Sequence, residues 1–467
     1  MALVPLLLAV RGRSSGEAFL FGLAYGFVCS ATVANWLATT MVTFFGMSPV
    51  AGRLAAAVYG LAFWGTGFGL FAAGAARLMG SSRPVRAAVG MAALWVATEL
   101  LRGRLFGQPW CLLGYSQHAS LPLIQLAAVT AVYGVSFLVA LGNVAVAQAM
   151  VRLRAGQPRE AWRPLALPAA LAAAAGLGGA RVLPAAPLDG TLPIAIVQTN
   201  VPPAKRWTRA YTDRQIMAHA RMLDGLGPEA RGGLIVWPEN AVPRHLEAEP
   251  GLAGLLGQLA ARHGSDLLFG APRFSDGHTY NSVRLITAAG RYGGHYDKQR
   301  LVILAEADPF GTAPQSGPEE NPTRFTAGRE PGVLRGVAPM GVSVCHEVLF
   351  PDLAARAVAA GAELLVNVSN DGWLDPATGI ASRQHAAMAV FRAVETRRWL
   401  ARAATTGISA VVDPYGRVVA SVPPDTPGLL QARVAPRTDL TPYARLGDAF
   451  AAGCVLVAAA ALLRSSR

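Results

Sequence analysis

Charged side chains are scarce. They make up 15% of the 467 residues, while 52% are hydrophobic and the mean hydropathy is +0.35. Ordinary soluble domains carry about 25% charged residues, so this deficit points to a chain that crosses a membrane. Lysine is scarcer still: of 41 basic residues only Lys205 and Lys298 are lysines. Cysteine is limited to Cys29, Cys111, Cys345 and Cys454, with no CxxC pair and no metal-ligand spacing. That excludes a disulfide scaffold and gives no ground for a metal centre.

The net charge of +13 is unevenly spread. Residues 190–448 hold 26 basic and 24 acidic side chains, whereas the remainder holds 15 and 4. A nucleic-acid binder carries its basic face on the soluble domain. Here the excess lies among the apolar segments, as arginines flanking membrane helices would, and no nucleic-acid partner is expected.

Apolar runs long enough to span a bilayer lie near 18–44, 55–76, 85–101, 130–151, 164–181 and 447–463, the first of them overlong. Met1–Val10 is apolar but too short to cross alone, and reads as the end of a helix whose beginning is missing. Arginine-rich connectors at 11–17, 77–86 and 152–163 and the C-terminal tail fall on one side if the six spans alternate. The positive-inside rule makes that side cytoplasmic, leaving the 103–129 connector and the long block 182–446 outside. The expected division is therefore membrane helices in 1–181, an extramembrane domain in 190–445, and a last helix with its cytoplasmic tail in 446–467.

Within 190–445, short β-rich runs alternate with helical patterns. Examples are Ile194–Gln198, Leu234–Trp237, Val342–Val344 and Leu364–Val368, with helices at Gly251–His263 and Ala381–Thr396. The mixture predicts a layered α/β domain. A Gly/Pro-rich stretch, 309–332, reads as a long functional loop that could act as a lid.

Three runs end on residues that carry chemistry: Glu239 in GLIVWPEN, Lys298 in GGHYDKQRLV, and Cys345 in GVSVCHEVLFP. Each has an ordinary reading too, as a solvated turn, a surface lysine and a packed core thiol. Together they suit acyl transfer. A thiol needs a base or a cation to become a nucleophile. A carboxylate can take its proton, and an ammonium, with the His346 N–H if Cys345 sits on a strand-to-helix elbow, can hold the oxyanion. In a chain so biased to arginine, a lysine suggests a site that accepts a compact point charge and rejects a planar fork.

WPEN at 237–240, YDKQRLV at 296–302 and CHEVLFP at 345–351 resemble the signature segments of the nitrilase, or carbon–nitrogen hydrolase, superfamily. With QTNVPPAKRW at 198–207, TELLRG at 98–103, PWCLLGYSQ at 109–117, VYGVSFLV at 132–139, NVSNDGW at 367–373 and QHAAMAVFRAVETRR at 384–398, the chain is similar over nearly its whole length to the membrane-bound apolipoprotein N-acyltransferase family. The resemblance implies a multi-span helical domain plus a nitrilase-like α-β-β-α sandwich, placed in the periplasm and anchored in the bacterial inner membrane. It implies Glu239 as general base, Lys298 as oxyanion stabiliser and Cys345 as nucleophile, with Trp207, Glu306, His346 and Glu347 as accessory positions and no cofactor. The implied reaction moves a fatty acyl chain from a membrane phospholipid, phosphatidylethanolamine being the favoured donor, to the α-amine of a diacylglyceryl-modified apolipoprotein. A membrane-tethered amidase or nitrilase is the alternative. A non-catalytic transporter would rest only on Asn35 within a span and on Glu99, which reads as an interfacial anchor beside Arg102. The family usually has Tyr where His346 stands, PFGE where this chain has ILAE at 303–306, and eight spans.

Overall fold

A computed structural model describes residues 2–186, 188–203, 207–303, 305–307, 324–374 and 379–465. Lys205 and residues 309–323 of the Gly/Pro-rich stretch lie outside them. The chain divides into two compact units, residues 1–183 with 446–467, and residues 184–445.

The first unit is helical: α1 (Val4–Val10), α2 (Ser15–Val33), α3 (Trp36–Thr43), α4 (Pro49–Met79), α5 (Pro84–Arg104), α6 (Ala127–Arg154), α7 (Arg163–Val182) and the C-terminal helix Ala449–Ser465. Five helices are long and apolar enough to cross a membrane, and Ala449–Ser465 is shorter. The overlong 18–44 run is two helices, broken at Ala34–Asn35. Hydropathy does not register that break because the residues on both sides are equally apolar. Helix α2 starts on a capping box: Ser14 Oγ accepts from the Glu17 N–H, and the Ser14 N–H donates to Glu17 Oε2. Its small residues Gly22 and Gly26 face α4 so closely that a Cβ on Gly22 would lie 2.4 Å from the Phe68 carbonyl oxygen. Such small faces let helices approach where lipid gives no hydrophobic drive for association.

Glu99 is not an interfacial anchor. It is 2% exposed inside the helical unit. Its Oε1 accepts from the Leu113 N–H (2.6 Å) and from Trp95 Nε1 (3.0 Å), while Arg102, one turn on, donates to the Trp110 carbonyl (3.0 Å). Together they satisfy the Leu113 N–H, which opens the short 3-10 helix Leu113–Gln117, and the Trp110 carbonyl just ahead of it. Glu99→Ala leaves those buried donors unmet and is expected to cost about 1–3 kcal/mol, read as a lower midpoint of thermal unfolding in detergent.

The second unit holds twelve described strands in two six-stranded sheets, ordered β12-β1-β2-β3-β4-β5 and β11-β10-β9-β8-β7-β6. In the first, β1 (Leu192–Gln198), β2 (Leu234–Val236) and β3 (Asp266–Ser275) are parallel, with β4 (His278–Ile286), β5 (Tyr292–Asp297) and β12 (Gly428–Val434) added antiparallel. In the second, β7 (Pro339–Val344), β8 (Leu364–Ser369) and β9 (Leu400–Ala404) are parallel. They are flanked by β6 (Val333–Arg335), β10 (Ser409–Val412) and β11 (Val418–Val422).

Alternation along the strands builds the layers. Ile194, Ile196, Val236 and Leu285 meet Val342, Val344, Val366 and Val368 in one buried cluster between the sheets. The opposite faces of β1–β3, with Ala195, Val197 and Ile235, are covered by Ile216 of α8 (Arg209–Met222) and by Leu256 and Ala260 of α9 (Pro250–His263). On the second sheet, α10 (Pro351–Ala359) packs on β7 and α11 (Ile380–Thr396) on β9. The result is an α-β-β-α sandwich. In open α/β sheets, sites form at the carboxyl ends of parallel strands. Here β2, β7 and β8 end next to Glu239, Cys345 and Ser369. Two antiparallel steps from β3 to β5 return the chain to the same sense, so Lys298 emerges at the same end as Glu239.

Candidate active site

Cys345 follows β7 directly and opens a short 3-10 turn, Cys345–Leu349, ahead of α10. Its φ of +53° is left-handed, a conformation costing a non-glycine residue of order 1–3 kcal/mol and held only where the surroundings over-determine it. This is the strand-to-helix elbow on which the proposed oxyanion role of the His346 N–H depends.

Two hydrogen-bonding side chains hold the elbow. Asn367 Nδ2 donates to the Cys345 carbonyl (3.2 Å) and to Ser343 Oγ (3.1 Å). Glu347, 1% exposed, accepts four hydrogen bonds. Oε2 takes the Val344 N–H (2.8 Å), and Oε1 takes the N–H groups of Gln299 (2.7 Å) and Arg300 (2.9 Å) and the Tyr296 hydroxyl (2.9 Å). Burial pushes its carboxyl upward, and the backbone donors pull the other way. Its partners demand acceptors only. Glu347→Gln must turn an amide against one donor and is expected to cost about 1–3 kcal/mol, checked by denaturant unfolding, with a drop in turnover as the elbow loosens.

The charged cluster sits opposite. Lys298 is 1% exposed, with Nζ 2.8 Å from Glu306 Oε1 and 3.5 Å from Glu239 Oε1. Asn281 Nδ2 bridges the same two oxygens at 2.8 Å each. Glu239 Oε2 accepts the Asn370 N–H (2.9 Å), and Glu306 Oε2 the Val302 N–H (2.8 Å). Burial disfavours the Lys298 ammonium, but Glu306 and Glu239 outweigh it and hold its pKa above the ordinary value. Burial also pushes Glu239 upward against the pull of Lys298. The Cys345 thiol is raised by burial and by Glu239, with Lys298 opposing. The resting arrangement is therefore a thiol, an ammonium and a base of enhanced basicity.

The structure brings Glu239, Lys298, Cys345, Glu306 and Glu347 into one cluster. His346 packs edge-on against Phe350 (5.6 Å). Burial, then Lys298, holds its imidazole well below the usual value, so it is neutral. Trp207 lies half-buried in the loop before α8, apart from this hydrogen-bond network. Asn281 and Arg402 escaped the sequence reading, and Asn367, Ser369, Asn370, Asp371 and His385 entered it only inside the segments NVSNDGW and QHAAMAVFRAVETRR, with no role of their own. The signal for some of them was present: the run NVSND ends an apolar strand with polar groups that are all needed inside.

A buried Glu–Lys–Cys cluster at the strand ends of an α-β-β-α sandwich defines a nitrilase-superfamily enzyme, and residues 194–443 match the carbon–nitrogen hydrolase family model. Residues 1–145 match the model of the apolipoprotein N-acyltransferase N-terminal domain. The apolipoprotein N-acyltransferase of Geobacter metallireducens is 32% identical over 100% of this chain and 91% of its own length. That of Pseudomonas aeruginosa strain LESB58 is 34% identical over 95% and 86%. The chain belongs to the apolipoprotein N-acyltransferase family. Among solved structures, an amidase of the nitrilase superfamily from Nesterenkonia AN1 is similar, at 22% identity and TM-score 0.40, covering 56% of this chain and 96% of its own.

Proposed function

We propose that this protein moves an acyl chain from a membrane phospholipid, through a thioester on Cys345, to the α-amine of an S-diacylglyceryl-cysteine at the N-terminus of an apolipoprotein. The observation that carries this reading is one chain joining the Glu239–Lys298–Cys345 cluster to a unit with five helices of membrane-spanning length. Both substrates are lipids, and a small-molecule amidase has no need of such a unit. The arginine distribution supports a catalytic unit on the periplasmic face of a bacterial inner membrane.

The chemistry follows from the acceptor sites. Glu239 Oε1 is engaged by Asn281 and Lys298, and Oε2 by one backbone donor. A carboxylate oxygen has two lone pairs, so the position left on Oε2 takes the thiol proton. The thiolate attacks the ester carbonyl. The oxyanion is met by the Lys298 ammonium and the His346 N–H, which are fixed before the charge develops. Collapse expels the lysophospholipid alkoxide, and Glu239 returns the proton to it. In the second half the α-amine attacks the thioester, gives its proton to Glu239, and forms the amide as the thiolate leaves and is reprotonated. Phosphatidylethanolamine is the donor we favour.

The test is mass spectrometry of protein incubated with phosphatidylethanolamine vesicles. An acyl adduct on Cys345 is expected to persist in buffer and to vanish when a diacylglyceryl-cysteine peptide is added. Loss of the adduct in buffer alone would mean that water resolves the thioester and that the alternative, a membrane-tethered amidase, is correct.

A further inference from the structure

The reaction as written uses Glu239 and Lys298 and leaves one side of the nucleophile without a role. That side is the end of β8. The parallel register Val344↔Val368 sets Ser369 beside Cys345. Ser369 is fully buried, and its Oγ lies 2.6 Å from Asp371 Oδ1. Against burial and Glu239, which raise the Cys345 thiol, the Ser369 side chain pulls it down, as a donor to the thiolate would.

A serine hydroxyl has one proton to give and two lone pairs, so it cannot donate to Asp371 and to a thiolate at once. With the thiol present, the O–H donates to Asp371. Once the thiol proton has gone to Glu239, the sulfur is an anion in a buried site, and the hydroxyl is the neutral donor that β8 places beside it.

Behind Ser369 the array keeps Asp371 paired when that hydrogen bond turns away. Arg402 Nη2 donates to Asp371 Oδ2 at 2.7 Å, and His385 Nδ1 lies 3.0 Å from Asp371 Oδ1; all three residues are at most 2% exposed. Burial favours the neutral acid, but Arg402 and His385 outweigh it and hold the Asp371 carboxyl well below the usual range. Asp371 therefore stays ionised without the serine.

We infer that Ser369 is a further catalytic residue: its hydroxyl turns from Asp371 to Cys345 Sγ as the thiolate forms, and turns back when the sulfur is acylated. No proton leaves the serine; only its hydrogen bond is redirected. A thioester sulfur is a weak acceptor, so the acylated enzyme restores the Ser369–Asp371 bond.

The inference rests on Cys345 being the nucleophile, and the test separates the two claims. The full chain in detergent is treated with iodoacetamide at neutral pH, and the Cys345-containing peptide is followed by mass spectrometry. Alkylation reads thiolate reactivity and needs neither lipid nor acceptor. Ser369→Ala is expected to label roughly tenfold more slowly than the natural protein, the size of a hydrogen bond to a charged group. Ser369→Thr, which keeps a hydroxyl, is expected to recover most of the rate. Equal labelling of Ser369→Ala and the natural protein overturns the inference, as does Ser369→Thr labelling as slowly as Ser369→Ala. Should Ser369→Ala not fold, Ser369→Gly makes the same comparison. No labelling of Cys345 in the natural protein would remove the nucleophile itself, and the inference with it.

Discussion

Cys345→Ala protein incubated with phospholipid carries no acyl adduct and delivers no acyl chain to an acceptor amine. The substitution removes the sulfur and little else. Alanine at φ +53° pays about the same backbone penalty as cysteine, so the elbow neither gains nor loses strain. The side chain sits at the edge of the inter-sheet core, where losing one small apolar group costs on the order of 1 kcal/mol. Loss of activity without loss of fold is thus the expected result, checked by intact mass after lipid incubation and by a thermal unfolding curve on the same sample. Full transfer by this variant would end the thioester reading.

Glu239→Gln slows thioester formation by about 10²–10⁴-fold, the usual value of a positioned base. The natural carboxylate meets donors only: Asn281, Lys298 and the Asn370 N–H. A glutamine keeps one acceptor oxygen and must point its amide at one of those donors, so the variant loses the base and disturbs its seat together. The pH dependence separates the two effects. Burial raises the pKa of Glu239 against the pull of Lys298. Since the base works only when ionised, the single-turnover rate falls as pH drops through that raised value, placing the acid limb above the ordinary glutamate value of 4.5. The variant, not the direction of the shift, separates the carboxyl from the two nearby imidazoles. His346 is held low by burial and Lys298, and His385 by burial and Arg402. In Glu239→Gln the limb disappears. An unchanged limb would assign the base to another group.

The catalytic candidates were legible because each ends an extended run whose apolar residues are visible without pairing information. The strands that escaped explain themselves. GGHYD was legible only as a short extended run ahead of Lys298, since β5 carries two glycines, whereas LARAA (β9) escaped because it is alanine-rich with an arginine at its centre. Burial of Arg402, Asn367 and His385 could not be read either. A polar residue in a strand or helix is ordinarily taken to face water, and only the second sheet and α11 show that these three face one another. Glu347 was visible as a position but not as a junction, because its four donors come from two strand ends far apart in sequence.

That junction has a consequence for how the site keeps its dimensions. Oε1 of Glu347 is tied to residues 299 and 300, immediately after the ammonium-bearing lysine, and Oε2 to residue 344, immediately before the thiol. The backbone beside the cation and the backbone beside the nucleophile are therefore held to the same carboxylate, in addition to the packing of the sheets. One carboxylate thus joins the two sheets at the point where both present their reacting groups, as a clasp between the chain after Lys298 and the chain before Cys345.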